Sequence, residues 1–169
     1  KNKKLLVDEF ASGRLHPELG SVLGKLFALL HAGTYNTKKE FASSQTWKKQ
    51  LMESLVINHW AVALKKYLPS SRVREFLKAS EHVPQSAVWG DAVYRNIFVG
   101  RKGEVTFVDF DHACTYDPAF DCGILLGHWL WMALKKGRVA TDSKKFITNF
   151  IASYQHHFLK SAKIGSSEI

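Results

Sequence analysis

The sequence predicts an α+β domain, mainly α, with one small β-hairpin set in its middle. Three observations carry that reading. Apolar residues recur at spacings of three and four over several separate stretches, the period of an amphipathic helix. The stretch NIFVGRKGEVTFVDFD (96–111) changes texture, with β-rich runs on either side of Gly100 and Gly103. The 169 residues, 46% hydrophobic and 12% aromatic, match one domain with a sizeable core. No internal repeat interrupts this pattern.

Taken in order, HPELGSVLGKLFALLHAGT (16–34) is the first helix. Pro17 suits a first turn, Glu18 the positive end and Gly33 a stop, and Leu19, Val22, Leu23, Leu26, Phe27, Leu29 and Leu30 form a broad apolar face. A polar linker, 36–45, leads to a longer helix over 46–68 that Pro69 closes. A short amphipathic helix over 70–80 has Ser70 or Ser71 as its cap. The hairpin follows, and then HACTYDPAF (112–120) reads as a loop with an Asp-Pro turn. DCGILLGHWLWMALKKG (121–137) is almost wholly apolar and is expected to be a central buried helix, capped by Asp121 and ended by Gly137. A last amphipathic helix over 141–160 aligns Phe146, Phe150, Ile151, Tyr154 and Phe158, and 161–169 is expected to be a flexible tail.

Composition narrows the function classes. The formal net charge of +9 suits an anionic partner such as a nucleotide, a nucleic acid or an acidic surface, and equally suits a soluble basic protein. The Lys pairs are scattered along helix faces and no nucleic-acid-binding motif accompanies them, so nucleic acid is disfavoured. Cys114 and Cys122 lack the CxxC spacing and read as reduced thiols of a cytoplasmic protein. The longest apolar run, 122–134, is too short to span a bilayer, and Asp8 and Glu9 follow the basic start too soon for a signal peptide. His156 and His157 lack a carboxylate at metal spacing, and His31 and His128 read as core or pocket-lining residues. Trp129 and Trp131 read as core.

Chemistry concentrates in WGDAVYRN (89–96) and VTFVDFD (105–111). Phosphoryl transfer needs a carboxylate to receive the acceptor's hydroxyl proton and hard oxygen ligands for magnesium. Asp91 and Asn96 stand at the D-x-x-x-x-N spacing, and Asp109 follows at the end of the second hairpin strand, next to Phe110. The spacing alone also arises in turns and caps. The order of loop, hairpin, Asp-Phe, then a D-P-x-x-D turn into an apolar helix is more specific.

Those residues resemble the aminoglycoside phosphotransferase-like kinases, a superfamily that includes choline, methylthioribose, homoserine and fructosamine kinases. The resemblance covers about 15–135, is strongest over 89–128, and extends to the helix ending in Leu30-His31. It implies a protein-kinase-like C-terminal lobe with the hairpin at the catalytic site, using ATP and Mg2+. It implies Asp91 as catalytic base, Asn96 and Asp109 as metal and nucleotide ligands, and Asp121 as a structural acid that closes the turn onto the 89–96 loop. Asp111 and Asp117 are given no direct role.

Two departures stand out. The family pattern H-G-D has Trp89 in place of His. The family's N-terminal lobe, with its phosphate-covering loop and Lys, has no counterpart in residues 1–14. The expected function is therefore transfer of the ATP γ-phosphate to a small-molecule hydroxyl by a lobe that needs an N-terminal lobe, from its own longer chain or from a partner. The alternative is a kinase-derived binding or assembly module without catalysis.

Overall fold

In a computed structural model of the chain, residues 4–11, 16–35, 66–81, 86–135 and 141–162 are described. Strand β1 (Lys4–Leu5) and helix α1 (Leu6–Ala11) come first, followed by helix α2 (Leu19–Ala32) and helix α3 (Ser70–Glu81). Strand β2 (Ser86–Val88), a single 3-10 turn (Tyr94–Asn96), strands β3 (Ile97–Val99), β4 (Val105–Phe107) and β5 (Cys114–Tyr116), and helices α4 (Ala119–Lys135) and α5 (Thr141–Ala162) complete the order. The architecture is mixed and mainly helical, as the sequence predicts. Among the described residues no helix is long and apolar enough to cross a membrane.

The hairpin forms where Gly100 and Gly103 place it. Gly103 adopts φ 80°, the left-handed region open to glycine, and Gly100 N–H donates to Glu104 O at 2.7 Å. Ile97 then pairs with Phe107 and Val99 with Val105. The sheet is larger than a hairpin, because β1 pairs antiparallel with β3 to give the order β1-β3-β4. A second, two-stranded sheet joins β2 to β5, pairing Ser86 with Tyr116 and Val88 with Cys114. The expected loop over 112–120 therefore contains a strand. Three-residue strands are too short to show alternation, which is why the sequence hides them.

Helices α2 and α5 form the main packed pair. Its contact surface is not the leucine face read from the sequence. Leu19, Leu23 and Phe27 are buried, but Val22 and Leu29 are exposed, and the closest approach between the helices is at Gly20 and Gly24. A Cβ at Gly20 would collide with the Phe146 carbonyl, and one at Gly24 with the Phe150 carbonyl. Small residues let the backbones approach, and the large rings fill in beside them. Phe27 is the hub: its ring meets Phe107, Phe150 and Trp89 edge-on, with centroids 5.4, 5.7 and 6.3 Å away. Truncating it to Ala would cost about 3–5 kcal/mol.

Several local expectations need correction. Gly33 ends α2 with φ −62°, a helical value, so no left-handed glycine cap is used. Helix α2 begins at Leu19, leaving Pro17 in the turn before it. Helix α4 buries one face only: Ile124, Leu125, Trp129, Met132 and Ala133 are buried, whereas Leu130, Trp131 and Leu134 are exposed. Trp131 is thus not core; Lys135 Nζ lies over its ring, 5.1 Å from the centroid. Ile151 is likewise exposed on α5, which runs on to Ala162, two residues beyond its expected end. The helix expected over 46–68 lies outside the described residues except for its last three, which form a turn. Gly137 also lies outside them.

Candidate active site

The 89–96 loop is fixed from behind. Asp121, in the first turn of α4, is fully buried, and its carboxylate faces the loop rather than its own helix end. Oδ2 accepts from Trp89 N–H at 2.6 Å and Oδ1 from Gly90 N–H at 2.8 Å. Oδ2 also lies 3.1 Å from His31 Nε2, and His31 Nδ1 lies 2.9 Å from the Tyr154 hydroxyl. A carboxylate only accepts, so Nε2 carries the donated hydrogen. The cap of α4 is instead Asp117, whose Oδ1 accepts from Ala119 N–H at 2.8 Å.

Gly90 is needed where it stands. Its φ is 84°, and a Cβ there would strike the backbone of His112. That close approach lays the 89–96 loop against the segment carrying Asp109. Beyond it the chain makes the 3-10 turn, with Val93 N–H donating to Asp91 O at 2.8 Å and Asn96 N–H to Val93 O at 3.0 Å.

Asn96 is the joint of the site. Its Nδ2 donates to Asp91 Oδ2 at 2.8 Å and lies 3.2 Å from Asp91 O. Its backbone carbonyl accepts from Val108 N–H at 3.1 Å, continuing the β3–β4 ladder by one pair. The residue after Val108 is Asp109. Side chain and main chain of one buried asparagine thus tie both acidic segments to the same end of the hairpin. Arg95 Nη2 lies 3.5 Å from Asp91 Oδ2, with its own side chain mostly in solvent.

Asp109 is the only non-glycine with positive φ, 62°, among the described residues, and its side chain is exposed. Its carbonyl accepts from Trp89 Nε1–H at 2.7 Å. The Trp89 indole stacks on Phe107 and on Phe110, with centroids 4.8 and 5.5 Å away. Phe110 and Val108 leave apolar surface open beside Asp109, and Asp111 is exposed.

His128 is a neighbour that the sequence could not assign to the site. It sits on α4 with its ring edge-on to Tyr94 at 5.3 Å. Burial holds its pKa below the ordinary histidine value, the Arg95 charge adds to this, and Asp91 opposes it. The one signal in the sequence was a lone histidine in an apolar helix.

As donors, Asn96 and Asp109 suit a hard cation. The Asn96 amide commits its N–H to Asp91, so its oxygen faces elsewhere. Among the described residues no group of three or more His, Cys, Asp or Glu side chains could hold a metal. Magnesium does not need one, since one or two protein oxygens with phosphate and water complete its shell. A cleft of about 400 Å3, lined by Lys4, Glu9, His16, Leu19 and Arg101 among others, opens at the turn end of the hairpin, away from Asp91.

The chain is thus a mainly helical α+β domain with a hydrogen-bonded carboxylate and amide, Asp91 and Asn96, at one hairpin end and Asp109 in the adjoining segment. The particular family follows from comparison: the model of the phosphotransferase enzyme family (APH) matches residues 6–154, and the chain belongs to that family. The match contains the whole of 15–135. No curated protein matches the chain.

Proposed function

We propose that this chain is the kinase-like C-terminal lobe of a small-molecule kinase that transfers the γ-phosphate of ATP to a hydroxyl group. Family membership supports phosphotransfer. The observation that carries the finer reading is the Asn96 bridge, 2.8 Å from the Asp91 carboxylate on one side and bonded on the other to Val108 N–H, the residue before Asp109.

Asp91 is the base in this reading. Its carboxylate takes the proton as the acceptor oxygen forms its bond to phosphorus and the bond to ADP breaks. The Asn96 N–H on Oδ2 fixes which way that carboxylate faces. Asp109 and the Asn96 oxygen would hold magnesium, which when bound supplies charge neutralisation at the phosphates. Asp121 touches no reactant; it holds the main chain of residues 89 and 90 so that Asp91 starts from a set position. An N-terminal lobe, in the same protein or a partner, would supply the rest of the nucleotide cradle.

The test is ATP consumption against a panel of sugars, amino alcohols and aminoglycosides, with this lobe joined to an N-terminal lobe. The expected result is turnover with at least one hydroxyl acceptor, reduced about 100-fold or more by Asp91→Asn, while nucleotide affinity stays within about twofold. Turnover that survives Asp91→Asn would remove the base assignment. Inactivity across a broad panel would favour the non-catalytic module.

A further inference from the structure

We propose that Trp89 is a positioning residue that holds Asp109 in its left-handed conformation through the indole N–H, and so keeps the Asp109 carboxylate available to a divalent cation. The inference rests on the reading of Asp109 as a metal ligand and adds a residue that the family pattern fills differently.

A non-glycine residue at φ 62° is uncommon, although Asp is among the types that adopt it, and its surroundings decide how firmly it is held there. At Asp109 the hold is visible. The Trp89 Nε1–H points at the carbonyl of that one residue, at 2.7 Å. The indole is itself immobile: it is fully buried, stacks on Phe107 and Phe110, and its own backbone N–H is held by Asp121. Phe107 and Phe110 bracket Asp109 in the chain, so the ring grips the segment from both sides and the N–H fixes the carbonyl between them. A buried indole N–H needs an acceptor, and here the acceptor is the carbonyl of the one non-glycine residue with positive φ among those described. Indole only donates, so the bond does not depend on protonation state at any working pH.

The test separates the hydrogen bond from the packing. Trp89→Phe keeps an aromatic ring and removes the donor; Trp89→His restores a donor and leaves a larger void. Affinity for Mn2+ with ADP is measured on the full chain by calorimetry, together with Tm. The expected pattern is inverted between the two readouts. Trp89→Phe weakens Mn2+ binding about tenfold with the smaller loss of Tm, and Trp89→His has the lower Tm but recovers at least part of the affinity. Affinity unchanged in Trp89→Phe, or a Trp89→His variant that binds no better than Trp89→Phe, would overturn the proposal. If Trp89→His does not fold, the Trp89→Phe affinity decides alone. Asp109→Asn is the control: if it leaves Mn2+ affinity intact, the metal reading of the site fails, and that failure is distinct from the failure of the Trp89 assignment.

Discussion

His31 and Asp121, ninety residues apart, meet with Nε2 3.1 Å from Oδ2 at a point with no solvent exposure. The same carboxylate oxygens receive the N–H groups of Trp89 and Gly90, so one side chain ties α2, α4 and the 89–96 loop together. Asp121→Ala strands three buried donors at once, and the expected loss is about 3–5 kcal/mol. Asp109→Asn removes a charge from an exposed side chain and keeps a residue type that tolerates positive φ, so stability should stay within about 0.5 kcal/mol. Urea unfolding of both variants checks this; equal losses would contradict the division of roles.

Glycine-to-alanine substitutions should carry opposite signs at two pairs of sites within helices. Gly123 and Gly127 lie in α4 with open space where a Cβ would go, so alanine should stabilise by roughly 0.5–1 kcal/mol each. At Gly20 and Gly24 the added Cβ meets the Phe146 and Phe150 carbonyls, and α2 must move off α5. A loss of about 1–3 kcal/mol is expected there despite the better helix propensity. Thermal melts of the four single variants read the sign directly.

Acid should weaken the fold partly through His128. Its folded pKa is depressed, so the unfolded chain takes up the proton first as pH falls through about 6.5, the ordinary value, and protonation then favours unfolding. Stability is retained above that pH and falls towards the lower folded pKa. The slope of urea midpoint against pH between about 7.5 and 5 should be shallower in His128→Gln than in the parent. Parallel slopes would show that His128 contributes nothing.

Cys122 lines a cleft of about 370 Å3 beside Tyr154 and Phe158, yet its thiol should be inert. Burial, with the Asp121 charge adding to it, pushes the thiol up from 9.0 to about 12, about a thousandfold less thiolate at a given alkaline pH. Neither cysteine is in a disulfide, and neither is expected to react readily with alkylating reagents near pH 8 until urea is added. The raised value also implies stability kept below about pH 9 and lost progressively as pH climbs towards 12. Rapid labelling of the folded protein would refute the assignment.

The helices with clear periodicity, α2, α4 and α5, were legible because their apolar spacing is local, and the hairpin because Gly100 and Gly103 bracket it. Which face each helix buries was not. The closest approach of α2 to α5 is at Gly20 and Gly24, whose value lies in having no side chain, and hydrophobicity patterns do not register an absence. The short strands β1, β2 and β5 exist through partners distant in sequence, beyond what a local pattern can report. At the site, residue types and spacing marked Asp91, Asn96 and Asp109. The inward turn of the Asp121 carboxylate was anticipated only through the family resemblance. The Trp89–Asp109 bond was invisible, since nothing in a one-dimensional string says where an indole N–H points.

Gly90 resting on the His112 backbone has a consequence for which substitutions the site can absorb. The gap between the two acidic segments is set there by main chain against main chain. Side-chain replacement elsewhere in the core can alter how tightly the domain holds together, but it does not re-gauge that gap. Substitutions among the exposed side chains around the loop therefore leave the main-chain spacing between the Asp91 and Asp109 segments as it is.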